Sequence, residues 1–315
     1  MTSTDRGRGI YFLLIILKYM IKTSVNSVVL LEKRRIADYL EERHLSDGGY
    51  FFARVEPSSG LDTYLAVKTL NLLGAKIRRV NSIVSFWKNE KPNDLFGIFL
   101  AVGTLRELGQ PAKAFNKYSH RLSSHLKNED TLARLFSFSI SANPRLKNFS
   151  HAMDYISASD KDLQDLFYLT VLSRDLKVKI DREKIIAFVL SLQNKNGGFG
   201  HRNKSHLMTT YYALSILNAL SYSAYDKERV YGYLSRQLRN FDYLEYLFFT
   251  VESLALLGRP LTEVDDIIQF IASCQRVNGG FSRDRAMGIP TIEDTYYAVK
   301  LLKTCENYSH KIFLK

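Results

Sequence analysis

Apolar residues recur at helical spacing along most of the chain, and nowhere do they alternate with polar ones over the length of a strand. The pattern predicts an all-α fold. Three stretches align on a Gly-Gly pair: IADYLEERHLSDGGYF from Ile36, IIAFVLSLQNKNGGFG from Ile185 and IIQFIASCQRVNGGFS from Ile267. Each has an aromatic nine residues before the first glycine (Tyr39, Phe188, Phe270). An Asp or Asn directly precedes the pair (Asp47, Asn196, Asn278) and an aromatic directly follows it (Tyr50, Phe199, Phe281). Glycine enters positive φ at little cost, so each stretch reads as a helix stopped at its C-terminal end by Asx-Gly-Gly.

A second helical stretch follows each pair after a loop of about a dozen residues: TYLAVKTL from Thr63, TYYALSIL from Thr210 and TYYAVKLL from Thr295. The preceding residues Asp62, Thr209 and Asp294 are suited to capping these helices. Each unit is therefore a helical hairpin of about forty residues. Weaker relatives lie at Ile83 to Leu108, around Leu132 to Ile140, at Tyr155 to Leu176 and at Tyr231 to Leu257. Six or seven hairpins in one domain, residues 31–315, are expected, with no Pro/Ser-rich linker to divide them. Such units either stack as an open solenoid or close into a ring around a cavity. Tyr64, Tyr211 and Tyr296, with Tyr212 and Tyr297 beside them, place bulky aromatics at one position of each strong hairpin, suited to lining an apolar cup.

Residues 1–30 stand apart as a basic and apolar segment. The apolar run Ile10 to Leu17 is too short to span a bilayer, and no small-residue cleavage site follows it. With Arg6, Arg8, Lys18 and Lys22 around it, the segment is suited to contact with a membrane surface or to packing as a first helix. Met20 offers an alternative start that would leave residues 1–19 outside the protein.

Composition narrows the chemistry. The 44 Lys and Arg against 32 Asp and Glu give a net charge of +12, which directs attention to anionic partners. The basic residues are scattered among apolar helices and no nucleic-acid module is present, so nucleic acid is not an expected partner. Two cysteines, Cys274 and Cys305, exclude a disulfide framework, read as buried apolar residues, and fit a cytoplasmic protein or one peripheral at a membrane surface.

The stretches QNKNGGFGHRNKSHLMTTYYALSIL and QRVNGGFSRDRAMGIPTIEDTYYAVKLL resemble the repeats of the prenyltransferase β-subunit and terpenoid cyclase superfamily. The resemblance covers about Ile36 to Leu302 and implies a closed α/α toroid that handles long isoprenoids. Protein prenyltransferases of that superfamily hold zinc through Asp, Cys and His. In this sequence those positions fall on Met208, Thr210 and Asp294, so zinc is not expected. The positions that recognise a diphosphate match Arg202 and Tyr211, with Lys204 displaced by one. Guanidinium and phenol are suitable donors for a diphosphate, and such a substrate would bring Mg²⁺ with it. The alternative reading makes Arg202 and Lys204 solvated loop charges.

Class II cyclases protonate an alkene with an Asp of a DxDDT-type motif. The matching stretch Thr291 to Thr295 keeps Asp294 and puts Glu293 at the proton donor's place. Paired carboxylates raise one another's pKa, as an acid requires. Against this, Asp294 and Asp62 share a repeat position and both could serve as helix caps. The expected function is an isoprenoid-handling enzyme without catalytic zinc, acting by protonation-initiated cyclisation of a polyprenyl or polyprenyl diphosphate. Its assigned residues are Glu293 and Asp294 for catalysis, Arg202, Lys204 and Tyr211 for the diphosphate, and Tyr64, Tyr212, Tyr296 and Tyr297 for the cavity. The alternatives are a transferase that acts with a helical partner subunit, and a silent toroid that binds lipid or protein. Asp265 and Asp266 read as first-turn acids of a helix, and Asp242 and Glu245 as an exposed helix face.

Overall fold

In the computed structural model the described residues, 33–92, 94–127, 161–239 and 241–313, form twelve α-helices with isolated β-bridges and no strand. The even-numbered helices form an inner ring: α2 (Gly60–Leu73), α4 (Leu95–Glu107), α6 (Lys161–Leu176), α8 (Leu207–Ala219), α10 (Leu244–Leu256) and α12 (Ile292–Phe313). Each packs on the next, and α12 packs on α2. That last contact closes the ring. The odd-numbered helices lie outside: α1 (33–41), α3 (Val80–Glu90), α5 (Asn116–Lys127), α7 (Arg182–Ser191), α9 (Lys227–Gln237) and α11 (Val264–Cys274).

Sequence explains which helix goes where. Inner helices are covered on both flanks and by the outer layer, so α10 buries nine consecutive or near-consecutive residues, Leu244 and Leu247 through Leu254. Outer α11 buries a single stripe, Val264, Ile267, Phe270, Ile271 and Cys274, and leaves its first-turn acids Asp265 and Asp266 in solvent. The expected hairpin near Leu132 to Ile140 lies outside the described residues. The weak stretches at Ile83 to Leu108 and Tyr231 to Leu257 are the helix pairs α3–α4 and α9–α10.

The structure corrects the reading of the glycine pairs. They do not cap the outer helices, which end several residues earlier at 41, Ser191 and Cys274. Each pair instead turns a short bridged loop. The side chain of Asp47, Asn196 or Asn278 accepts the N–H of Gly49, Gly198 or Gly280 at 3.1 Å. Gly48, Gly197 and Gly279 have φ of 98°, 98° and 91°. Their missing side chains also let the loop touch the next outer helix: a Cβ would lie 2.4 Å from the Ser82 carbonyl oxygen, 2.0 Å from that of Arg229 and 2.3 Å from that of Arg35. Because Arg35 belongs to α1, the third pair joins the loop after α11 to the first outer helix.

The repeated threonine fastens loop to inner helix. Its Oγ1 accepts the N–H of the aromatic that follows the glycines, Tyr50 to Thr63 at 2.9 Å, Phe199 to Thr210 at 3.0 Å and Phe281 to Thr295 at 3.1 Å. The same hydroxyl donates to the carbonyl of Ser59, His206 or Thr291. Those three residues, not Asp62, Thr209 and Asp294, are the N-caps. A first-turn carboxylate is then free to face something other than its own helix end.

Candidate functional site

The aromatic position of the repeat is filled on all six inner helices. Tyr64, Phe99, Phe167, Tyr211, Phe248 and Tyr296 form a belt around the ring axis, joined by Tyr168, Tyr212, Phe249 and Tyr297 one residue on. Ring centroids are 5.6 Å apart for Tyr64 and Phe99, 5.8 Å for Phe99 and Phe167, 5.2 Å for Phe167 and Tyr212, and 4.5 Å for Phe248 and Tyr297. The belt residues are packed against one another, with Tyr64 at 9% exposure, Tyr212 at 8% and Tyr296 at 7%. Tyr64, Tyr211, Tyr212, Tyr296 and Tyr297 thus meet in one structure. The Phe members on α4, α6 and α10 were hidden in the sequence because their hairpins lack Gly-Gly, although each directly follows an Ile or Leu.

Above the belt lies the mouth, formed by the N-terminal turns of α2, α10 and α12. Glu293 accepts the Tyr297 phenol at 2.8 Å, and Asp294 accepts the Thr291 hydroxyl at 2.7 Å. Burial pushes the Asp294 carboxyl up to about 6, against the Thr291 hydrogen bond, and Glu293 and Glu245 add to the rise. Asp62, whose carboxylate accepts the Phe52 N–H at 3.0 Å, is pushed up to about 6 by burial and by Glu293. Glu245 is raised by burial and by Glu293. Asp242 is exposed and precedes α10, so the pair expected on one helix face is divided, and Glu245 belongs to the mouth. Asp62 was legible as a partner of Asp294 from its repeat position; Glu245 shares the repeat position of Glu293, but in a hairpin without Gly-Gly that hid the register.

Arg202 and Lys204 are exposed on the loop at 200–206, on the mouth side of the ring, where Arg202 and Asn203 have φ of 52° and 59°. Tyr211 is half-buried in the belt against Tyr212, Phe248 and Phe249, and the cation that acts on it is Lys68. The structure therefore separates the three residues assigned to a diphosphate into two loop cations at the rim and one phenol in the interior.

One turn beneath the belt the repeat position holds Lys68, Gly103, Val171, Ser215, Glu252 and Lys300. Lys300 reaches Glu252 at 2.8 Å, and Glu252 also accepts the Thr304 hydroxyl at 2.5 Å. Lys68 donates to the Tyr64 phenol at 3.0 Å and stands 5.1 Å and 5.2 Å from the Tyr64 and Tyr296 ring centroids. Burial opposes its charge, but these phenols outweigh burial and hold the ammonium well above the ordinary lysine range. The signal in the sequence was a lysine four residues after a belt tyrosine, on the face that points inward.

At the positions where the resemblance would require zinc ligands stand Met208, a buried Thr210 whose hydroxyl fastens the loop, and an Asp294 bonded to Thr291. These residues do not fit the metal. Among the described residues no three His, Cys, Asp or Glu side chains are disposed to hold a metal ion. Cys274 and Cys305 are buried, and burial pushes their thiols up to about 11 and about 12. Among the described residues no helix is long and apolar enough to cross a membrane.

The profile of the prenyltransferase alpha-alpha toroid domain matches residues 1–108, 153–243 and 239–313, which is most of the chain. The chain belongs to this family. As a prenyltransferase toroid it is similar to Candida albicans protein geranylgeranyltransferase-I complexed with GGPP, with a TM-score of 0.53 and 14% identity over 79% of this chain and 85% of that one. At that identity the likeness speaks for the toroid fold. No curated protein matches the chain.

Proposed function

We propose that this toroid is an isoprenoid-handling enzyme that begins its reaction at the mouth, by protonating a polyprenyl double bond. The observation that carries the reading is the Asp294 carboxyl, pushed up to about 6 beside Glu293 and standing above the aromatic belt. A carboxylic acid with that pKa keeps a fraction of its proton at neutral pH, as a general acid must. The proton would pass from the Asp294 carboxyl to one alkene carbon, whose π pair forms the new C–H bond. The cation left on the other carbon faces the π clouds of Tyr297 and Phe248 and is closed by the next double bond. Loss of a proton to a mouth carboxylate ends the sequence.

A second reading, transfer or hydrolysis at a diphosphate, draws on the mouth-side cations Arg202 and Lys204 and on the similarity to a protein complexed with GGPP. It would call for a helical partner subunit, and Mg²⁺ would arrive with the diphosphate. Incubation in D₂O with geranylgeranyl diphosphate, farnesyl diphosphate or squalene separates the readings. Cyclic products carrying solvent deuterium support protonation. Release of diphosphate without deuterium uptake supports the second reading. Binding with no turnover of any substrate leaves a silent lipid-binding toroid. Full turnover by the Glu293→Gln, Asp294→Asn double variant removes the acid proposed here.

A further inference from the structure

Below the belt, between α2, α4 and α6, lies a cavity of about 340 Å³ that is separate from the mouth. Its size falls at the low end of small-molecule pockets, roughly 300–1,000 Å³. Tyr64, Phe99, Val102, Phe167, Val171 and Leu172 give it apolar walls, and Glu107 and Arg174 are among the charged side chains that line it. Lys68 lies at its inner end, and Arg106 and Asp175 lie at the C-terminal ends of α4 and α6, where they join the two helices at 2.8 Å and 2.7 Å.

The repeat supplies its own comparison for Lys68. Ser215 and Lys300 occupy the same position in the other two strong hairpins; the first is neutral, and the second is neutralised by Glu252 at 2.8 Å. Lys68 donates to the Tyr64 phenol and also hydrogen-bonds the Tyr296 phenol, and among the described residues no carboxylate lies within 4.0 Å of its Nζ. An ammonium enclosed without a counter-charge is an expensive feature for a core and an attractive one for an anion. Gly103 makes the room. A Cβ there would lie 2.6 Å from the Tyr64 ring, so any larger residue would push that ring out of its place beside Lys68. Glycine is disfavoured inside a helix, which makes its presence in α4 a matter of space.

We propose that this cavity is a second binding site, for a small amphiphile whose single anionic group pairs with Lys68 while its apolar body lies between α4 and α6. The site does not depend on the mouth chemistry. Its head can be a carboxylate or a phosphate; both chemistries meet the ammonium in the same way.

Titration calorimetry with octanoate and octyl phosphate, against octanol and octylammonium of the same chain length, tests the proposal. One or both anions are expected to bind at least about tenfold more tightly than octanol, the worth of a charge-assisted hydrogen bond, and octylammonium is expected not to bind. Which anion binds more tightly identifies the head. Lys68→Met should keep the alkyl stem and abolish the preference for anions. Val171→Trp, which leaves Lys68 untouched, should fill the cavity and remove binding. The Glu293→Gln, Asp294→Asn variant should bind octanoate as the parent does. Equal affinity of the parent for octanol and both anions overturns the proposal, as does anion binding that survives Lys68→Met or Val171→Trp.

Discussion

Thr210 shows how much of the architecture rests on one hydroxyl. It accepts the Phe199 N–H and donates to the His206 carbonyl, so it holds a fully buried aromatic against the first turn of α8. Valine has the same shape without the polar atom. Thr210→Val should leave the Phe199 N–H unpaired and cost about 2 kcal/mol of stability, measured by denaturant unfolding, while Thr210→Ser should restore most of it. The threonine was visible in the sequence as an identity shared by three repeats, but its role was not. A hydroxyl that joins two segments eleven residues apart leaves no mark in local pattern. Lys68 was missed for a related reason: a lysine in an apolar helix reads as surface until the ring shows that its face points inward.

At the scale of the element, the N-terminal turns of α2 and α12 bring Asp62 and Asp294 together with Glu293. A helix N-terminus favours a negative charge, so an isolated first-turn acid would be expected low. Burial wins here, and both carboxyls rise from 3.8 to about 6. Between those values the folded chain holds more protons than the unfolded one, so the contribution of these groups to stability falls as pH rises through that window. The Asp62→Asn, Asp294→Asn variant should therefore melt close to the parent at about pH 4, and increasingly above it as pH is raised to about 7. A melting difference that does not change with pH would contradict this account. The cap expected from the sequence and the buried acid found in the structure are the same residues. Ser59 and Thr291, both visible in the sequence, took the capping role.

The whole molecule is stable as a ring only if its ends meet. They meet through α12 on α2 and through α1 on the third glycine loop, where Gly279 lies against the Arg35 carbonyl, Arg35 donates to the Val277 carbonyl at 2.8 Å and Tyr39 to the Pro290 carbonyl at 2.8 Å. Gly279→Ala should cost more than Gly74→Ala. Both residues have positive φ, but a Cβ at Gly74 meets nothing within 4 Å, so only the strain of about 1–2 kcal/mol applies there. Hydrogen exchange should quicken in α1 and α12 together for Gly279→Ala and not for Gly74→Ala. The sequence by itself determined the helical hairpin, its glycine loop and the aromatic that recurs on its second helix, because each of these is set by contacts close along the chain. Only the tertiary structure decided that the hairpins close, that six of the described helices contribute to the belt, that acids from α2, α10 and α12 share the mouth, and that Lys68 faces a cavity with no described carboxylate within 4.0 Å of its ammonium. Those features depend on which side of each helix meets the axis, and that is settled when the last helix packs against the first.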